Sequence, residues 1–140
     1  MSEPLIYTFE VDGDNFTSAG EASMQMKKNL RMLGLDPNTI RRFAIAMYEG
    51  EINMVIHAGG GNATVSVFED LIEIVLADRG PGIADIDLAM SEGYSTAPDN
   101  IRNLGFGAGM GLPNMKKNTD SIKVESELGK GTTITMTVNI

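Results

Sequence analysis

The sequence has no cysteine, which excludes disulfide staples, thiolate nucleophiles and zinc–thiolate sites. Histidine occurs once, as His57, and reads as a polar residue near a helix end rather than a ligand. Cations are scarce, 11 Lys and Arg against 19 Asp and Glu, for a net charge of -8. A nucleic-acid partner is therefore not expected, because such binding normally shows as a basic stripe. No apolar run approaches the roughly 20 residues of a membrane span, so no membrane partner is expected either. The opening MSEPLIYTFE lacks the basic and apolar regions of a signal peptide, and a cytoplasmic location is the expectation. Low-complexity tracts, internal repeats and linkers are also missing. The 140 residues, 42% of them hydrophobic, suit one domain spanning 1–140 with a real core. Glycine is plentiful at 16 residues, and its placement matters more than its number.

Hydrophobic periodicity orders the chain. Residues 5–11 read as a strand. Residues 17–33 read as an amphipathic helix, with Ala19, Ala22, Met26, Leu30 and Leu33 at spacings of three and four and Gly34 as its stop. Asp36-Pro37 is an N-cap followed by proline at the first helical position, opening a second helix to about residue 58. Gly59-Gly60-Gly61 ends it. Residues 63–68 and 71–77 read as strands joined by a tight hairpin at Glu69-Asp70. Between Asp78 and Gly111 the chain is loop-like, with a short apolar piece near Ile86–Met90; a loop this long is usually functional. A short helix over 112–118, a strand over 122–126, a turn at Gly129–Gly131 and a strand over 132–140 complete the order. The simplest packing is an α/β (α+β) two-layer sandwich, a mixed sheet with helices on one face.

Within the second helix, Ile40, Phe43, Ala44, Met47, Ile52, Met54 and Val55 spread over a broad apolar arc. Glu49, Asn53 and His57 step by four, drift only about 40° each, and form one polar ridge. Glu51 lies about 160° from Glu49 and cannot join it. An acid and an amide one turn apart suit a Mg·nucleotide site. The amide oxygen is a hard neutral ligand for Mg²⁺, and the carboxylate can polarise a hydroxyl attacking a γ-phosphate. Alone, the same pair is what a solvated helix face looks like.

Two glycine boxes follow. The strand over 71–77 runs into Asp78-Arg79-Gly80-Pro81-Gly82, where a carboxylate can accept a hydrogen bond from an exocyclic amine such as adenine's. Glycines just beyond let a flat base approach the backbone. The run Gly105-Phe106-Gly107-Ala108-Gly109-Met110-Gly111 suits a loop that turns its N–H groups toward an anion, or a lid. No G-K-[ST] follows, so it is not a Walker loop, and it follows no first strand of a βαβ unit. Arg102, Lys116 and Lys117 flank it and can offset phosphate charge. Gly131-Thr132 opens the last strand.

In this order, E-x-x-x-N at Glu49/Asn53, D-x-G-x-G at Asp78–Gly82, the Gly105–Gly111 box and the terminal G-T resemble the ATP-binding superfamily of gyrase B, histidine kinases, MutL and the large ATP-dependent chaperones. ADRGPGIADIDLAMSEGYST, GFGAGMGLPNMKK and SELGKGTT are similar to the bacterial anti-sigma-factor and switch-type serine/threonine kinases, the stressosome switch kinase type above all. The resemblance implies a Bergerat-type fold, ATP and Mg²⁺ as cofactors, and phosphorylation of a STAS-domain antagonist or switch protein. It also implies Glu49 as general base and Asn53 as Mg²⁺ ligand. The nucleotide would meet Asn53, Asp78, Gly80, Gly82, Gly105, Gly107, Gly109, Met110, Gly111, Leu112 and Thr132. The alternative from the same resemblance is a nucleotide-dependent protein that sequesters a sigma factor or other regulator without essential kinase activity. Relatives of this kind often form homodimers, which makes a second copy a further candidate partner. The chain departs from the pattern where Pro98–Leu104 lengthens the lid region and where Gly50 follows Glu49 in place of a helix former.

Overall fold

A computed structural model describes residues 3–12, 20–80 and 111–140, and the fold is given for those residues. The elements are β1 (Leu5–Asp12), α1 (Glu21–Met32), α2 (Pro37–Ala58), β2 (Gly60–Val67), β3 (Leu71–Asp78), α3 (Gly111–Lys117), β4 (Ser121–Glu127) and β5 (Gly131–Asn139). The apolar piece near Ile86–Met90 lies outside the described residues.

The strands form one sheet in the order β1-β2-β3-β5-β4. The expectation of a mixed sheet needs a correction, since every ladder among the described residues is antiparallel. Two strands, β3 and β4, do run the same way, as a crossover connection requires. The β4–β5 hairpin folds β5 back between them, so the parallel pair never shares hydrogen bonds. Phe68 N–H donates to the Leu71 carbonyl at 2.9 Å, closing the hairpin around Glu69-Asp70 as expected.

Side chains alternate across a strand, so one parity of each strand faces the helices. The register lines these positions up into rows. One row is Tyr7, Val65, Ile74, Met136 and Ile122; the next is Phe9, Ala63, Leu76, Ile134 and Val124. All ten are buried or pack against the buried cluster. Fully burying a side chain such as Ile74 or Met136 stabilises by about 2 kcal/mol. On the opposite parity stand Thr8, Thr64, Thr135 and Lys123, which are exposed or half-buried. Among the described residues helices therefore cover one face only, and the expected two-layer arrangement holds.

The caps of α2 follow its sequence. Asp36 accepts from the N–H groups of Asn38 and Thr39 at 3.0 and 3.3 Å, and Pro37 occupies the first turn. Gly59, at φ 71°, ends the helix. Helix α1 is different. It begins at Glu21, behind Gly20 at φ 97°, with no local side-chain cap, and the expected helical residues 17–19 lie outside the described residues. Its free N–H groups go instead to Glu51 of α2: Gly20 and Ala22 donate to Oε2 at 2.8 and 3.2 Å, and Ser23 donates to Oε1 at 3.0 Å. A cap supplied from 28 to 31 residues away leaves no mark in the local sequence.

Asp120 ties the far side of the sheet to α2. Its Oδ2 accepts from Asn139 N–H at 2.7 Å and pairs with the Arg42 guanidinium at 3.2 Å. The Asn139 bond, then the Arg42 charge, hold this carboxyl below the usual carboxylate range against the opposing effect of burial. A carboxyl whose folded value is lowered adds stability above its unfolded value, about 3.9, and loses it as pH falls through the folded value. Denaturant unfolding of the wild type and Asp120→Asn should show the wild type ahead at neutral pH and the gap closing below about pH 4. A gap that does not change with pH would contradict this role.

Candidate functional site

The site begins with how α2 is turned. Gly50 is buried against the sheet, and a β-carbon there would overlap Leu76 Cδ1 and stand 3.3 Å from Met115 Sδ. The absence of a side chain thus lets α2 lie close on β3 and α3. With Gly50 facing inward, Glu49 and Glu51 turn about 100° to either side. Glu51 is spent on α1. Glu49 turns toward α3, where its Oε1 accepts from Asn114 Nδ2 at 3.3 Å.

Asn53, one turn on from Glu49, meets the end of the glycine box. A β-carbon on Gly111 would stand 2.7 Å from Asn53 Nδ2 and 2.9 Å from Oδ1. The two polar residues of the α2 ridge therefore face the first turn of α3, which runs antiparallel to them. Helix α3 is held from below by Leu112, Pro113 and Met115, all buried. Leu112 packs in the core, so what it can offer a ligand is backbone. The side chain of His57 lies outside the described residues.

The next row of the sheet's inner face changes character. Val11 pairs with Gly61, Gly61 with Asp78, and Thr132 with Ser126. Asp78 Oδ1 accepts from Gly80 N–H and from Thr132 N–H, both at 3.0 Å, which ties the end of β3 to the start of β5. The hydroxyls of Thr132 and Ser126 are 2.8 Å apart. Asp78 Oδ2 makes no hydrogen bond to a described residue. Glycines stand on both sides of this backbone. A β-carbon on Gly61 would overlap the Ala77 carbonyl and lie 2.9 Å from Asp78 Cα; one on Gly131, at φ 122°, would overlap the Asp78 carbonyl. Met54 Cε reaches to 2.7 Å from the same point on Gly61, so the Met54 side chain of α2 extends over this row.

Among the residues expected at a site, the structure brings Glu49, Asn53 and Gly111 together, and separately Asp78, Gly80 and Thr132. Gly82, Gly105, Gly107, Gly109 and Met110 lie outside the described residues, as do Arg102 and Pro98–Leu104. Sequence reasoning missed Gly61, Asn114 and Ser126. Only Gly61 left a signal: one glycine suffices to end α2, and the run has three. Gly61→Ala would press a methyl onto strand backbone that cannot yield. It should lower Tm by roughly 5–10 °C, an overpacking cost of about 1–3 kcal/mol, and move the Gly80 and Thr132 amide resonances. An unchanged Tm would refute the close approach.

A family model for the histidine kinase-, DNA gyrase B-, and HSP90-like ATPases matches residues 38–140, from the first turn of α2 to the end of the chain. The anti-sigma F factor of Clostridium acetobutylicum is 40% identical over 109 residues, 73% of this chain and 73% of that protein. The serine/threonine-protein kinase RsbT of Bacillus subtilis is 31% identical over 118 residues, 81% of this chain and 83% of that one. The crystal structure of the RsbU and RsbW domains of a Mycobacterium tuberculosis protein aligns with a TM-score of 0.61 over 96% of this chain and 32% of the other. At 17% identity that likeness speaks for the fold alone. The matched span contains Glu49, Asn53, Asp78, both glycine boxes and Thr132. The chain belongs to the histidine kinase-, DNA gyrase B-, and HSP90-like ATPase family.

Proposed function

We propose that this chain is an ATP-dependent serine/threonine protein kinase acting on a STAS-domain regulatory protein, as a single domain over 1–140 in the cytoplasm. The observation that carries the reading is the meeting of Glu49 and Asn53 with the first turn of α3, beside the Asp78 row. Asp78 is suited to adenine. With Oδ1 held by two backbone N–H groups, Oδ2 points its acceptor capacity at an exocyclic amine. Gly80 and Thr132 flank this carboxylate through their N–H groups, and the family pattern implies Gly82 against the ring. The remaining glycines of the box, with Met110 and the Leu112 backbone, keep the phosphate-binding roles that the family pattern implies.

Asn53 fits Mg²⁺. Among the described residues no group of three or more His, Cys, Asp or Glu is placed to hold a metal. A single neutral amide oxygen suits an ion whose other ligands are phosphate oxygens and waters. When bound, Mg²⁺ would neutralise charge on the β- and γ-phosphates, which this acidic chain needs. Glu49 then takes the proton of the attacking serine or threonine hydroxyl. That oxygen bonds to the γ-phosphorus, the bond from phosphorus to the β,γ-bridging oxygen breaks, and ADP leaves. Such a reaction asks the protein chiefly for positioning and charge stabilisation. A second reading is favoured by the relatives named anti-sigma F factor: the nucleotide-loaded chain sequesters a sigma factor, and transfer is dispensable.

With γ-labelled Mg·ATP and purified STAS-domain proteins, the wild type should label an acceptor on serine or threonine. Glu49→Ala should lower kcat by at least about 100-fold while the Kd for Mg·ATP changes less than about three-fold. Transfer to no such acceptor, together with ATP-dependent retention of a sigma factor, would replace the first reading by the second. Asp78→Asn should weaken ATP by about 10-fold or more, and should weaken inosine triphosphate, which lacks the amine, far less. Equal weakening of both nucleotides would count against base recognition.

A further inference from the structure

We infer that Asn114 is a positioning residue for the general base, an assignment that rests on the proposed role of Glu49. The two helices meet turn against turn. On α2, Glu49 and Asn53 are four residues apart; on α3, Gly111 and Asn114 are three apart, so each pair lies on one face. Gly111 takes the Asn53 side and leaves the amide room. Asn114 takes the Glu49 side and donates from Nδ2 to Oε1 at 3.3 Å.

The donor is itself held in place. Its neighbours Pro113 and Met115 are buried, Met115 completely. The Asn114 carbonyl accepts from Asn118 N–H at 3.2 Å and from Asn118 Nδ2 at 2.9 Å, while Thr119 Oγ1 donates to the Met115 carbonyl at 2.8 Å. These bonds close the last turn of a helix too short to be stable by itself. Glutamate is a long side chain with several freely turning bonds, and a half-buried glutamate without a partner would sample many carboxylate directions. One fixed amide donor on Oε1 selects a direction and leaves Oε2 to receive the proton. A neutral donor does this without the charge that a lysine or arginine would place against a proton acceptor. The geometry of a near-attack arrangement is sensitive to such placement.

Single-turnover transfer of γ-phosphate from Mg·ATP, to a STAS-domain acceptor and to water, tests the assignment in the full chain. Asn114→Leu removes the donor and should lower the rate constant about 10-fold with KM for Mg·ATP within about two-fold. Asn114→Asp keeps the shape, sets a carboxylate against Glu49, and should lower it further, about 30-fold or more. In a Glu49→Gln background Asn114→Leu should cost less than about two-fold, because the residue acts through Glu49. Melting temperatures identify any variant that fails to fold, and the near-isosteric Asn114→Asp guards against that outcome for Asn114→Leu. Wild-type rates for both variants, or equal losses with and without Glu49, would overturn the assignment while leaving the base intact. Full activity of Glu49→Gln alone would remove the base itself, and the role of Asn114 with it.

Discussion

On a helix, fixing the direction of one residue fixes its neighbours, and in this fold that residue is Gly50. The missing side chain lets α2 settle onto Leu76 and Met115. A glycine inside a helix costs about 1 kcal/mol relative to alanine. Here that cost leaves space which Leu76 Cδ1 fills and which a methyl group would make it give up. The same contact sends two carboxylates in opposite directions from adjacent positions. Glu51 enters the junction with α1 and satisfies three backbone N–H groups. Glu49 turns out to α3 and to Asn114. One acid builds the scaffold and the other is the proposed general base, and the difference between them is about 160° of rotation.

The sheet makes a comparable division along its length. Its inner rows are apolar through Leu76 and Ile134, then become Gly61, Asp78, Thr132 and Ser126 at the next step. The polar row continues the core's register, so its members inherit the rigidity of the ladders beneath them. Flanking glycines let neighbouring backbones close around Asp78. Groups carried on the last row of a packed sheet are positioned more precisely than groups on a free loop.

Much of this was legible in the sequence because the periodicities are strong. The limits of α2, its Asp36 cap, the Glu69-Asp70 hairpin and the separation of Glu49 from Glu51 all follow from local pattern. The helical ridge bearing Glu49 and Asn53 was readable for the same reason. What was not legible depends on contacts between distant segments. The start of α1 is set by Glu51, which a local reading cannot see. The significance of Gly50 lies in Leu76, 26 positions away, and that of Gly61 in Asp78 across a ladder. Asn114 resembles any surface amide on a short helix until α2 is laid beside it. The antiparallel sheet was missed because element order shows that a crossover exists, but not that a later hairpin will insert a strand between its ends.

The central claim is spatial: the α2–α3 ridge and the Asp78 row receive one nucleotide together. Titrating Mg·ATP into isotope-labelled chain while following amide resonances tests it most directly. The account predicts saturable shifts at the Asn53 side-chain amide, Gly80, Gly111 and Thr132, with Thr64, Lys123 and Thr135 on the other face of the sheet left unmoved. No shifts at millimolar nucleotide, or shifts confined to that other face, would contradict it.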